Sequence, residues 1–531
     1  GNGSRQPMSR SDKIIMCLIT LAFLLLAGAV SVGNPLFEST DEIRHYRYIR
    51  HLIVRRSLPV QGSESIRSQS HHPPLFYALS AVLSGWVASP HTPEYQQPLN
   101  PFWGYRNWEV GVDNKLQYYH DPAEGFPFRE GYLAALIPRW INILLGATTV
   151  WLAFMLGRTV WRERPALAWG AAALVAFNPQ FIYLSGSMNN DIIAAATGTA
   201  VLLLSLEVTQ KGLSRRRLIL LGLAYGLALL AKFHLVVMGG IIGLAVLVAL
   251  SNAERAPGSQ MRWPSFDSRG WRKVGGQWLR AMAIVVTIAA LLAGWWFVRN
   301  WWLYGDPTGL NKVNELWAGR PAAGNWWALR QGLPYLWSSL WGRFGYGQIP
   351  LPSVIYQGLL GFCLLALAGF LFPRRERLPL AAFVILGVTV VGFLAVVTYY
   401  ILIQPAGPMG RFLFPAFPAL AVLVMGGLSR WPILRKHPTG TAVGVTLSMG
   451  AFAVLALGGY LSPAVRYTPP VTSPSVDQRT ELQFGDVARP LVVDVQPDSV
   501  RPGEPLFVTV TWDPLLQTET PYVVYVHVID D

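Results

Sequence analysis

Charge is scarce in this chain. Only 14% of its 531 residues are Asp, Glu, Lys or Arg, against roughly 25% in a soluble domain. With 52% hydrophobic residues, that scarcity excludes an ordinary soluble protein. Cysteine is almost missing. Cys17 and Cys363 both lie inside apolar runs, so they read as buried thiols and exclude a disulfide framework or a cysteine metal cluster. Internal repeats and low-complexity tracts are missing too. The charge that remains leans basic, with 43 Lys and Arg against 29 Asp and Glu, a net +14. It gathers in clusters between apolar runs, which is the pattern of cytoplasmic loops and not of a nucleic-acid surface.

What fills the chain instead is a series of long apolar runs, so the predicted class is an all-α polytopic membrane protein. Helices are expected near 14–33, 132–157, 166–185, 190–209, 216–233, 235–251, 280–298, 353–372, 379–402, 411–428 and 440–461, about eleven spans. Val30-Ser-Val-Gly-Asn-Pro resembles the end of a signal peptide, but the first run is long and more spans follow, which favours an uncleaved first transmembrane helix. With the N-terminus cytoplasmic, the clusters around Arg10, Arg162, Arg216, Arg272, Arg375 and Arg435 all fall on the cytoplasmic side. The heavy 252–279 loop is expected to meet anionic headgroups. On that topology the two long loops and the C-terminal segment are expected to be extracytoplasmic.

The transmembrane domain is expected over 1–461, with external loops at 34–131 and 299–352. Within the first loop, His72 to Trp86 reads as a helix in the interface, opened by Pro73 and Pro74. The Trp pairs 295–296, 301–302 and 326–327 read as an outer aromatic belt. From 462 the character changes. Leu491–Val495, Leu506–Trp512 and Tyr522–Ile529 read as strands separated by Pro- and Gly-rich turns. Three strands are too few to close a sandwich, so 462–531 is expected to be an incomplete extracytoplasmic β-sandwich-like domain.

One segment stands out for chemistry. Glu38-Ser-Thr-Asp41-Glu42-Ile-Arg-His45 follows directly on the first run, and paired carboxylates are costly beside a membrane. Other polar residues fall near the same face: His71, His72, Arg139, Asn189, Asn190, Asp191, Lys232, His234, Arg299, Asp306, Arg343 and Arg411. Cations around a carboxylate pair suit an anionic, phosphate-bearing ligand beside a general base. Each has a plainer alternative. Arg139, Arg299 or Arg411 alone reads more often as a snorkelling anchor, Asp191 as a helix cap, and Lys232 as a mark of the turn between two helices. The two histidines with Asp41 and Glu42 could bind a divalent metal, although the spacing matches no metal motif.

Taken in order, these pieces resemble the GT-C-fold glycosyltransferases, the superfamily of protein O-mannosyltransferases and lipid A aminoarabinose transferases. The carriers are Glu38-Ser-Thr-Asp41-Glu42 with His45, Leu58-Pro59-Val, His72-Pro-Pro-Leu-Phe-Tyr, Arg139, Asn178-Pro179, Asn189-Asn190-Asp191, Leu230-Ala-Lys232-Phe, Arg299-Asn-Trp-Trp-Leu-Tyr-Gly-Asp306-Pro, Trp341-Gly-Arg-Phe-Gly and Gly410-Arg411-Phe-Leu-Phe-Pro. Each is weak alone, and their order over about residues 10–430 carries the resemblance.

The resemblance implies inverting transfer of a sugar from a polyprenyl-phosphate donor to a protein, lipid or glycan hydroxyl. Asp41 would be the general base, with Glu42 positioning it or the acceptor. Arg411 and Lys232 would hold the lipid phosphate. His72 stands where many relatives carry a phosphate-contacting Lys; a neutral His binds phosphate more weakly, and Arg139 could serve instead. His45, Asp191, Arg299 and Arg343 would support the site. No cofactor is implied, with a divalent metal left open. Two other classes remain: a carrier or flippase for a lipid-linked sugar, which has no need of Asp41, and a structural subunit of a membrane assembly.

Overall fold

The structure is a computed structural model that describes residues 8–62, 69–89, 99–100, 103, 109–111, 115–120, 124–253, 268–372, 379–404, 409–466, 483–496 and 507–516. The chain divides into two units, Gly1–Val465 and Arg466–Asp531.

The first unit is helical. In lipid every backbone N–H and C=O must be satisfied within its own segment, so apolar runs of this length become helices. They are α1 (Arg10–Gly33), α4 (Glu130–Val160), α5 (Pro165–Ala176), α6 (Pro179–Ser185), α7 (Asp191–Lys211), α8 (Arg215–Ala231), α9 (Met238–Ala253), α10 (Ser268–Tyr304), α13 (Ser353–Ala368), α14 (Leu380–Ile403), α15 (Phe417–Leu428) and α16 (Pro438–Ala456). Among the described residues nine spans are long and apolar enough to cross a membrane, or ten if α5 and α6 together make one. The remaining expected run, 216–233, is α8, only 17 residues long. The 166–185 run is not one straight helix, because α5 and α6 meet at a 62° bend. Pro179 disfavours helical backbone at the residue before it. Asn178 accordingly leaves the helix and caps α6, accepting from the Phe181 N–H at 2.9 Å.

The loops expected to be external are ordered by short helices. The first holds α2 (Glu42–Arg55) and α3 (Leu75–Ser84). The expected interface helix is therefore α3, begun by Pro74. The second holds α11 (Leu310–Leu316), α12 (Ala328–Trp341) and a hairpin of β1 (Arg343–Phe344) and β2 (Ile349–Pro350). Trp295, Trp301, Trp302, Trp326 and Trp327 are exposed, as a belt needs, whereas Trp296 is buried.

The second unit contains β3 (Ala488–Gln496) and β4 (Phe507–Pro514), paired antiparallel with a register shift between Pro490 and Val492. An Arg489–Asp513 ion pair at 2.7 Å links them. The third expected strand, 522–529, lies outside the described residues.

Candidate active site

The residues that follow α1 are each fastened to a different part of the chain. Glu38 accepts from the backbone N–H groups of Gln117 and Tyr118 and from His120 Nε2 at 2.8 Å. Ser39 Oγ lies 2.6 Å from Ser187 Oγ. Thr40 Oγ1 donates to the Gly345 carbonyl. The Asp41 N–H donates to the Tyr346 hydroxyl at 3.0 Å. Glu42 is held by Arg139. Asp41 is thus over-determined, which lets it keep a left-handed backbone with φ 60°, a conformation costing on the order of 1 kcal/mol outside glycine. It occupies the N-cap of α2, where an Asp side chain ordinarily accepts from the first-turn N–H groups. It makes no such bond. Its carboxylate turns instead to Arg411, accepting from Nη2 at 2.8 Å, with Arg44 Nη1 3.8 Å away.

Arg411 belongs to a row of four charges. Asp191 opens α7 and Lys232 closes α8, positions that helix dipoles favour for an acid and a base respectively. Packing α8 back along α7 brings the two together, Nζ to Oδ1 at 2.5 Å. Arg411 Nε approaches Asp191 Oδ2 at 3.6 Å. A three-residue-per-turn segment, Gly410–Ala416, delivers Arg411. Gly410 packs on the backbone of α12, where a Cβ would stand 2.2 Å from Leu340 N, so only glycine fits. The Phe412 ring forms a wall, 4.3 Å from Lys232 Nζ. Two cations and two carboxylates balance formally. Yet among the described residues Arg411 Nε and Nη1, although buried, have no hydrogen-bond partner, Nε having only its longer ion pair with Asp191. Buried guanidinium N–H groups without partners are costly, and here they are free to receive an anion.

The protonation of the groups outside the spans follows from this layout. Burial by itself raises the Asp41 carboxyl, but the charge of Arg411, aided by Arg44 and the Arg411 hydrogen bond, outweighs burial and holds it below its usual value. Asp41 is therefore a carboxylate at neutral pH. His45 stacks between His72 and Tyr77, with Nδ1 2.8 Å from the Tyr77 hydroxyl. Burial chiefly, with the Arg411 and Lys232 charges, pushes it down to about 3. His72 is lowered well below the usual value, again by burial first.

The structure thus gathers Asp41, His45, His72, Asp191, Lys232 and Arg411. It does not gather Glu42 and Arg139 with them as expected. Glu42 is fully buried and accepts from Arg139 Nε and Nη2, both at 2.7 Å, and from the N–H groups of Met188 and Phe37. The other Arg139 N–H groups reach the carbonyls of Ser31, Asn34 and Pro35. Every donor of the guanidinium is committed, so Arg139 cannot hold a phosphate as it stands, and Glu42 has no lone pair open to an acceptor. The pair is a strut tying α2 to α4. Arg299 donates to the Pro59 carbonyl, and Arg343 braces the hairpin through the Gly347 carbonyl and Ser338. Among the described residues no group of three or more His, Cys, Asp or Glu could hold a metal ion.

Three contributors escaped the sequence reading. Tyr346 sits between Gly345 and Gly347, both at positive φ, and that Gly-X-Gly turn was its signal. Tyr77, inside an apolar helix, and His120, in a polar loop, gave none.

Residues 135–263, which include Arg139, Asp191 and Lys232, match the family model described as dolichyl-phosphate-mannose-protein mannosyltransferase. The resemblance drawn from the motifs is borne out over that segment. Among solved structures, ArnT from Cupriavidus metallidurans bound to undecaprenyl phosphate is 14% identical, with a TM-score of 0.48 over 85% of this chain and 66% of that one. The S. cerevisiae protein O-mannosyltransferase Pmt1-Pmt2 complex bound to the sugar donor is 15% identical, with a TM-score of 0.36 over 57% of this chain and 35% of that one. The Archaeoglobus fulgidus oligosaccharyltransferase is 15% identical, with a TM-score of 0.43 over 85% and 54%. The chain spans less than two thirds of the length of each. No curated protein matches it by sequence. The chain is a polytopic membrane protein whose segment 135–263 carries the signature of that mannosyltransferase family.

Proposed function

We propose that the protein is a membrane glycosyltransferase that moves a sugar from a polyprenyl-phosphate donor to an extracytoplasmic hydroxyl with inversion. The observation that carries this reading is the buried Arg411 guanidinium. It touches Asp41 with one nitrogen and, among the described residues, leaves Nε and Nη1 without hydrogen-bond partners. A base and an anion site thus share one side chain. The donor phosphate would take the free N–H groups, with Lys232 beside it. Asp41 accepts the proton of the acceptor hydroxyl. The acceptor oxygen bonds to the anomeric carbon from the face opposite the phosphate, and the carbon–oxygen bond to phosphate breaks. Polyprenyl phosphate departs with the electron pair, its growing charge met by Arg411 and Lys232. Asp191 keeps both cations aligned.

The test is sugar release from a panel of polyprenyl-phosphate sugars, with the purified chain beside Asp41→Asn. Turnover by the wild type that vanishes in the variant, with lipid still bound, supports the reading. Equal turnover in both removes Asp41 from the chemistry.

A further inference from the structure

Beside the charge row stands a column of rings to which the transfer step gives no task. His45 lies one turn beyond Asp41 on α2, its N–H donating to the Asp41 carbonyl at 3.0 Å. Its imidazole is nearly parallel to His72, with centroids 6.1 Å apart, and to Tyr77 at 5.7 Å. His71 extends the column, 4.0 Å from His72. Tyr48 closes the other end, 3.9 Å from Tyr77. His45 is 2% exposed. Apart from the His45–Tyr77 contact, no described residue gives the three imidazoles a hydrogen-bond partner. His71 and His72 are half-buried, so their ring nitrogens are within reach of a ligand or water that completes them.

The charges around the column select the ligand. Asp41, Asp191, Arg411 and Lys232 face His45; Asp41, Lys232 and Arg44 face His71; Lys232, Arg411 and the other two imidazoles face His72. Burial keeps all three rings neutral, His71 at about 4, outweighing the pull of Asp41 on His45 and His71, and the cations add to it. A neutral imidazole carries one donor and one acceptor, as a hydroxyl does. It suits an anion poorly, and the cations next to it already serve one. Several such rings, with flat faces beside them, match a neutral polyol.

We propose that His45, His71 and His72 form the subsite that reads the donor's sugar, as an uncharged polyhydroxylated ring, next to the phosphate held by Arg411 and Lys232. This rests on the transferase reading. The test compares two probes on the full chain in nanodiscs, polyprenyl phosphate and polyprenyl-phosphate glucose, by dissociation constant. The variants His71→Phe and His72→Phe keep a stacking ring and delete its nitrogens. Each is expected to weaken the sugar-bearing lipid about 10-fold, or about 1.4 kcal/mol, and to leave the bare lipid within about twofold. Unchanged bare-lipid binding also shows that the variants are folded. Equal weakening of both lipids, or of neither, overturns the subsite. So does tight binding confined to a lipid carrying an amino sugar. A wild type that binds only through phosphate overturns the subsite and leaves the transferase reading standing. Binding of neither lipid overturns both.

Discussion

Arg411 donates a 2.8 Å hydrogen bond to Asp41 across 370 positions of sequence. The same guanidinium approaches Asp191, so the carboxylate that would take a proton and the cation that would take a phosphate are parts of one unit. Neither can be altered without disturbing the other, and the two substitutions fail in different ways.

Asp41→Asn removes the base and frees Arg411 further. Turnover should fall by about 10²–10⁴, with polyprenyl phosphate bound as tightly as before or tighter. Arg411→Gln should lower turnover by about 10²–10³ and weaken the lipid as well. It also takes one partner from half-buried Asp41, which keeps Arg44 nearby, and one from buried Asp191, which keeps Lys232, so some stability is lost as well. Parallel turnover and binding measurements separate the two. Loss of lipid binding in Asp41→Asn, with none in Arg411→Gln, contradicts the assignment.

The pH profile follows from the same contact. Arg411 holds Asp41 below its ordinary value against the effect of burial. The base is therefore lost only as pH falls through that depressed value. The acid limb of kcat/KM, which reports the free enzyme, should lie below the ordinary carboxylate pKa of about 3.9. In Arg411→Gln the attraction is gone and burial remains, so the limb should move to higher pH. Residual activity of the variant across pH 3–7 (roughly the span on either side of that value) checks the direction.

Glu42 and Arg139 predict a stability effect with little chemistry in it. Arg139→Leu leaves Glu42 buried with its charge unmet, at a cost on the order of 3–5 kcal/mol. Arg139→Lys loses the fork and should recover only part of that. Thermal unfolding in detergent measures both. Folded Arg139→Lys protein should keep the wild-type affinity for polyprenyl phosphate. A selective loss of that affinity restores Arg139 to the anion site.

Much of this was legible in the sequence, and the reasons differ by residue. The spans were legible because lipid leaves an apolar run no alternative to helix. Asp191 and Lys232 stood out singly; what pairs them is that two successive antiparallel helices return the end of one to the start of the other. Asp41 and Arg411 stood out as charges beside a membrane, but nothing local says that they touch; that contact belongs to the tertiary packing of Gly410 on α12. The strut between Glu42 and Arg139 is hidden from the sequence for the same reason. An isolated Arg near a helix end has the same sequence signature whether its donors face a cavity or neighbouring carbonyls. The bend at Asn178 is written in Pro179, although the surrounding run is uniformly apolar and by itself predicts one straight helix.

His120 supplies a pH effect of opposite sign. It is nearly buried and bridges Glu38, at 2.8 Å from Nε2, and Glu124, at 2.9 Å from Nδ1. Burial alone would lower it, but the hydrogen bonds to Glu124 and Glu38 outweigh burial and raise it to about 9. A histidine raised when folded stabilises fully below its unfolded value of about 6.5 and loses that contribution as pH rises through the folded one. The shift corresponds to on the order of 3 kcal/mol, held at neutral pH and lost by about pH 10. The bridge fastens His120 and Glu124 to Glu38, three positions before Asp41. Amide exchange at Gln117 and Tyr118, whose N–H groups Glu38 accepts, should therefore accelerate between about pH 7 and 10 beyond the intrinsic base-catalysed rise. His120→Gln should bring the faster exchange already at neutral pH and flatten the excess. An excess that persists unchanged in His120→Gln would assign the opening to another group.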